Sequence, residues 1–156
     1  MKEKNRSKSG LASIDKKIIA QLYKKQSSFS ALGVKAFNKK EINCKNMFGL
    51  TRLHYTAAIN NVGLTKELID NDAYLNMQGD FQETPLHTAA IYNSCEVAQA
   101  LLYAGASRNI MDYQGFTPAE LALIRYERKK EEINRGVGHE KELAPYLAFL
   151  KIITPL

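Results

Sequence analysis

The apolar positions of this chain fall into helical stripes separated by polar turns. Ile14, Ile18 and Leu22 recur at helical spacing, with Ile19 and Tyr23 beside them, and predict an amphipathic helix. The stretch SSFSALGVKAFNKK, residues 27–40, predicts a second, shorter one. Towards the other end, Leu143, Leu147 and Leu150 with Tyr146 and Ile153 mark a last helix. Pro145 is tolerated only in a first turn, so that helix should start close to Glu142. Before it, IRYERKKEEINRG reads as the continuation of one long helix that ends near Gly136 and Gly138.

Between these ends the pattern repeats. TPLHTAA at residues 84–90 meets TRLHYTA at 51–57 and TPAELAL at 117–123, 33 residues to either side. Thr51, Thr84 and Thr117 keep that period, as do Ala57 and Ala90, Leu68 and Leu101, Ala73 and Ala106, and Asn76 and Asn109. Gly49 and Gly115 stand two periods apart around Gln82, and Asn46 and Asp112 stand so around Gly79.

A 33-residue unit carrying T-P-L-H-x-A resembles the ankyrin repeat, best over residues 80–110. The resemblance implies an all-α solenoid of helix-turn-helix repeats with short β-hairpin loops. It implies repeats over residues 43–138, at about 46–78, 79–111 and 112–138, between atypical caps. Residues 13–42 would be the N-terminal capping helices, 139–156 the C-terminal one, and 1–12 a flexible basic arm. Each residue of the signature has a physical task. Thr84 caps the helix N-terminus and Pro85 takes the first helical position, where its missing N–H costs nothing. Thr51, Thr117 and Pro118 repeat those roles. His54 and His87 are expected to bond backbone near the turns, and Ala89 and Ala90 to stay small where repeats stack. Arg52 replaces the proline in the first unit. Asp72 stands where the next unit has Gly105, a left-handed position that Asp tolerates and Gly favours. The third unit loses both Leu and His of the signature, as an atypical terminal repeat does, and Lys129, Lys130, Glu131 and Glu132 read as its solvated face.

In ankyrin proteins the partner-contacting positions lie at the hairpin tips and on the exposed side of the first helix. The matching residues here are Met47, Phe48, Leu50 and Ile59, then Asp80, Phe81, Ile91 and Tyr92, then Met111, Tyr113, Phe116, Ile124 and Arg125. The set is apolar and aromatic for positions expected to face water, which marks interaction surfaces. Phe48 and Phe81 are equivalent and could form an aromatic ladder. Asn76 and Asn109 each follow a leucine by eight residues, which resembles ankyrin repeats whose asparagine is hydroxylated; an Asn that organises its turn is the simpler reading.

Composition fits one globular domain: 156 residues, 45% apolar and 24% charged. No apolar run is long enough for a transmembrane helix, and no apolar segment follows the basic start as in a signal peptide. The net charge of +6 is uneven. Residues 1–40 hold 11 Lys/Arg against Glu3 and Asp15, whereas 41–156 hold 11 against 14 Asp/Glu. A basic arm can bind nucleic acid or an anionic membrane, and Lys16, Lys17, Lys24 and Lys25 flank the first apolar stripe; a solvated terminus and a capping helix are the favoured readings. Cys44 and Cys95 make neither a disulfide scaffold nor metal spacing, which suits a reducing, cytoplasmic compartment. GVGH lacks the strand and remaining glycines of a phosphate loop, and G-x-S-x-G, H-E-x-x-H and C-x-x-C are absent. A Cys44–His54 dyad conflicts with the place of His54 in the signature. The expectation is therefore a monomeric, non-catalytic protein-binding module with no cofactor and no metal, nucleic-acid or anionic-membrane binding being the alternative. Lys, Ile and Asn supply 39 of 156 residues, as AT-rich genomes favour. A small chain of this kind resembles ankyrin-repeat effectors of intracellular bacteria such as Legionella, secreted into the host cytoplasm; a viral protein is the other reading.

Overall fold

Polar punctuation divides the first two units into short helices of nearly equal length and leaves the third with one long one. The computed structural model describes residues 39–154. After a helical turn at Lys39–Ile42 come α1 (Arg52–Ile59), α2 (Val62–Asp70), α3 (Pro85–Tyr92), α4 (Cys95–Tyr103), α5 (Pro118–Asn134) and α6 (Ala144–Ile153), with a 3-10 turn at Glu140–Leu143 before the last. No strand occurs among the described residues. Of the capping segment expected over 13–42, only Lys39–Ile42 falls within them, and Ile42 is buried in the core. The arm at 1–12 lies outside.

Two layers result. Helices α1, α3 and α5 pack side by side as the inner layer, α2 and α4 as the outer, and α6 packs on both α4 and α5 to extend the outer layer. Ala57, Ala58, Ala89 and Ala90 lie fully buried where inner helices meet, as the small residues of the signature require. Leu68 and Leu101, one period apart, fill the space between layers. Small residues let the helix axes approach, and one period of 33 residues therefore becomes one slab of core.

The helix ends are chemically specified. Asn60 and Asn93 close α1 and α3 in the left-handed conformation, each at φ 54, which Asn adopts more readily than most residues. Asn61 then caps α2, its side chain accepting from Leu64 N at 3.0 Å. At the third equivalent position stands Tyr126, followed by Glu127, so neither helix stop nor cap is present and α5 runs on to Asn134. Gly136 and Gly138, at φ 85 and 106, end it where the glycines suggested. The last α-helix begins at Ala144, two residues after Glu142, which lies in the preceding 3-10 turn. Arg108 donates to the carbonyls of Ile152 and Ile153, at 3.2 and 2.6 Å, and so fastens the C-terminal end of α6 to the second unit. Asp72 takes the left-handed position at φ 64 that Gly105 takes at φ 97.

Candidate protein-docking surface

Three five-residue tips project from the inner layer. Each is closed end to end by a backbone bond, Asn46 N to Leu50 O at 2.9 Å, Gly79 N to Glu83 O at 2.8 Å, and Asp112 N to Phe116 O at 2.9 Å, with a second bond inside it from the fourth residue's N to the first residue's O. The fourth residue of each tip is left-handed: Gly49 at φ 70, Gln82 at φ 57, Gly115 at φ 82. Neighbouring tips are tied edge to edge, Asp80 N donating to Phe48 O at 3.4 Å and Tyr113 N to Phe81 O at 3.0 Å. At their base, Lys45 Nζ donates to Gln78 O at 2.7 Å and Gln78 Nε2 to Met111 O at 3.2 Å, the same link one period on. The tips form a rigid rail.

Within the first and third tips an Asx side chain organises the turn. Asn46 Oδ1 accepts from the amides of Phe48 and Leu50, both at 2.9 Å, and Asp112 Oδ1 from those of Gln114 and Phe116 at 2.9 and 3.0 Å. The second tip has Gly79 there and compensates from the other end. The carboxylate of Glu83 folds back so that a Cβ on Gly79 would lie 2.9 Å from its Oε1. Burial raises the Glu83 pKa to about 7, and the amides of Glu83 and Phe81 offset only part of that. Neither carboxylate oxygen makes a well-formed hydrogen bond.

The signature histidines fasten the rail to the helices. His54 Nδ1 accepts from Thr51 N at 3.0 Å and from Thr51 Oγ1 at 2.9 Å. An accepting Nδ1 leaves the proton on Nε2, which donates to Glu83 O of the next tip at 3.0 Å. His87 repeats this with Thr84, at 3.1 and 2.8 Å, and with Phe116 O at 3.0 Å. Burial lowers the His54 pKa to about 4 and lowers that of His87, so both are neutral at pH 7. In the third unit Glu120 takes the histidine's place, accepting from Thr117 N and Oγ1 at 2.8 and 2.7 Å. His54 commits both ring nitrogens, so it has none to offer Cys44, which is exposed. Cys95, half-buried in the first turn of α4, packs against the core. No cluster of His, Cys, Asp and Glu among the described residues could hold a metal ion.

The expected contact residues separate into two groups. Met47, Phe81, Met111 and Tyr113 are exposed along the rail, at 72, 39, 56 and 43% of their full surface, with Asp80 beside them. The expectation that all the tip and helix positions face water is corrected for Leu50 and Ile91, which are buried at 4 and 3%. Leu50 tucks beneath the second tip, where a Cβ on Gly79 would come within 2.9 Å of its Cδ2. Ile91 lies on α3, enclosed by α1 and α5. Phe48, Tyr92 and Phe116 are half-buried against the core; Ile59, Ile124 and Arg125 are half-buried too. The aromatic pair on the rail is Phe81 with Tyr113, ring centres 5.5 Å apart, one junction further along than Phe48 with Phe81. Asn76 and Asn109 are exposed, and Asn76 Oδ1 accepts from Ser107 N at 2.9 Å, bracing one repeat on the next. Lys130 and Glu131 are solvated as expected, whereas Lys129 and Glu132 are half-buried in an ion-pair cluster with Glu142. Two features escaped sequence reading: the exposure of Leu123, at 49%, and the half-burial of Arg125. The substitution of Leu for the Ala of positions 57 and 90 is the signal that could have shown the first.

A two-layer solenoid with a hydrogen-bonded rail of tips is a repeat scaffold of the kind that presents side chains to other macromolecules. The chain belongs to the ankyrin-repeat family: the family's model of three repeats matches residues 17–126. Human NF-kappa-B inhibitor alpha is 42% identical over 74 residues, 45% of this chain and 23% of that protein. Human Rabankyrin-5 is 30% identical over 99 residues, 56% of this chain and 8% of that one. The palmitoyltransferase AKR1 of Lachancea kluyveri is 35% identical over 72 residues, 46% and 10% respectively. The chain thus spans under a quarter of each of these relatives. Ankyrin repeats generally mediate protein–protein interaction, and no helix among the described residues is long and apolar enough to cross a membrane.

Proposed function

We propose that this chain is a non-catalytic module that binds a partner protein along the rail of tips and the adjoining face of the inner helices. The observation that carries the reading is the line of Met47, Phe81, Met111 and Tyr113, large apolar side chains held in water by a backbone that neighbouring tips tie in place. Preorganised aromatic anchors bring contact area at low entropic cost. Phe81 and Tyr113, already in tilted ring contact, are its centre, with Tyr92 behind them. The Lys-, Ile- and Asn-rich composition fits an AT-rich genome, and the setting we propose is that of an effector acting on a host protein in the host cytoplasm, a viral protein being the alternative.

NF-kappa-B, which the first relative is named for inhibiting, is the first partner to test, followed by capture from host lysate. Phe81→Ala and Tyr113→Ala should each weaken binding by about 2 kcal/mol, roughly thirtyfold, without lowering the melting temperature appreciably. Wild-type affinity in both variants would end the reading. Binding that fell steeply with salt and survived both substitutions would move the site to basic residues 1–40, for nucleic acid or an anionic membrane.

A further inference from the structure

The unused chemistry of the molecule lies where the third unit departs from the repeat. Arg125 occupies the position that Ile59 and Tyr92 hold in the other units, and from here α5 continues instead of stopping. Its guanidinium is half-buried at the contact of α5 with α6, and it forms no ion pair among the described residues. Its Nε is buried without a hydrogen-bond partner. Burial pushes its pKa below the usual arginine value, and Tyr146, Tyr92 and Glu132 nearby offset only part of that. Lys129, one turn on, is different: Glu142 Oε2 lies 2.7 Å from its Nζ and Glu132 Oε2 lies 3.5 Å away. Arg128 is exposed and carries no ion pair among the described residues. Arg125, Arg128, Lys129, Glu132 and Tyr146 line a cleft of about 200 Å³.

We propose that this cleft binds an oxyanion, a carboxylate or a phosphate monoester, carried on a side chain of a partner protein. The space is below the roughly 300–1,000 Å³ of a small-molecule or cofactor site, yet it suffices for one such group. Two guanidinium groups supply the forked donors that planar or tetrahedral oxyanions accept. Three cations against Glu132 and Glu142 leave the site at net +1, the sign an anion requires. This site is independent of the aromatic rail, and either can fail without the other.

The test uses the full chain labelled with nitrogen-15, following the arginine Nε–Hε signals at fixed ionic strength set with chloride. Inorganic phosphate and acetate are the probes. Expected is a saturable shift of the Arg125 signal with a millimolar constant, absent when chloride alone is varied. Saturation by acetate at lower concentration than phosphate assigns the site to acidic side chains; the reverse order assigns it to phosphorylated ones. Arg125→Gln should weaken binding at least tenfold, Arg125→Lys nearly as much because the fork is lost, and Arg128→Gln several-fold. Lys151→Gln, on the exposed side of α6, should change nothing. A shift that is linear and matched by chloride overturns the proposal, as does unchanged probe affinity in Arg125→Lys.

Discussion

The two interior junctions and the free side of the third unit start from the same threonine cap and finish it differently. At residues 54 and 87 the cap is closed by a histidine whose second nitrogen reaches a carbonyl of the next tip. At 120 it is closed by a glutamate that reaches nothing further. Residues 145–149, where a fourth tip would fall by the period, lie in α6, so there is no carbonyl to reach. Other positions follow the same logic. Gly49 is pressed by the second tip, and a Cβ there would lie 2.7 Å from Asp80 N, whereas a Cβ on Gly115 would meet nothing within 4 Å. Asn60 Oδ1 accepts from Val97 N at the start of the next outer helix, whereas Asn93 Oδ1 is buried without a partner because α5 passes where such a start would be. Ala57 and Ala90 are sealed, and Leu123 is not. The repeat signature is therefore mostly a set of devices between repeats, and where the stack stops each either loses its partner or is exchanged for a purely local residue.

The largest test of that contrast is His87→Ala. It strands Thr84 N and Phe116 O in the interior and opens a cavity, so it should cost about 3 kcal/mol in urea unfolding. Glu120→Ala, whose partners stay open to water, should cost far less. Equal losses would mean that the histidine is only a cap and not a staple.

Next comes the glycine pair. Gly49→Ala adds a backbone clash to left-handed strain and should cost about 2–3 kcal/mol, whereas Gly115→Ala carries the strain alone, about 1 kcal/mol. Similar costs would show that the first two tips separate easily and that the rail is less rigid than its hydrogen bonds indicate.

The sequence carried the stack well and the surface less well, for a physical reason. A spacing of 33 residues between Thr51, Thr84 and Thr117 reports contacts that recur, so the helices, caps and small residues were legible. Burial of Leu50 and Ile91 depends on how far one tip overlaps the next and on α3 being enclosed from both sides, which no single-residue pattern records. The run-on of α5 was legible in outline from the lost signature, and its cause, Tyr126 in place of a helix-ending Asn, is visible once φ at Asn60 and Asn93 is known. Arg125 stayed hidden because an arginine in a charged helix reads as solvated until α6 is packed beside it.

Within the stapled interior, the second tip is the exception, and it gives the smallest and most specific prediction. Glu83 has its pKa raised to about 7 from 4.5, chiefly by burial. Its contribution is therefore full below pH 4.5 and is lost as pH rises through about 7. His54, lowered to about 4 from 6.5, has the opposite sign: its contribution is present above pH 6.5 and is lost as pH falls through about 4. His87 acts in the same direction. Glu83 and His54 oppose each other between pH 4.5 and 6.5, so wild-type stability should rise there only by the share that His87 adds. Glu83→Leu copies the first tip, removes the buried carboxylate and should gain about 2 kcal/mol at pH 8, while uncovering a steady loss below pH 6.5. It also takes the facing carboxylate from the amides of Phe81 and residue 83. Gly79→Asn, which completes the Asn46-like pattern, supplies that acceptor. Alone, the asparagine collides with the Glu83 carboxylate and should destabilise. Together the two should exceed the sum of their separate effects by at least about 1 kcal/mol in a double-mutant cycle. Additive effects would show that Glu83 does not stand in for the missing Asx side chain.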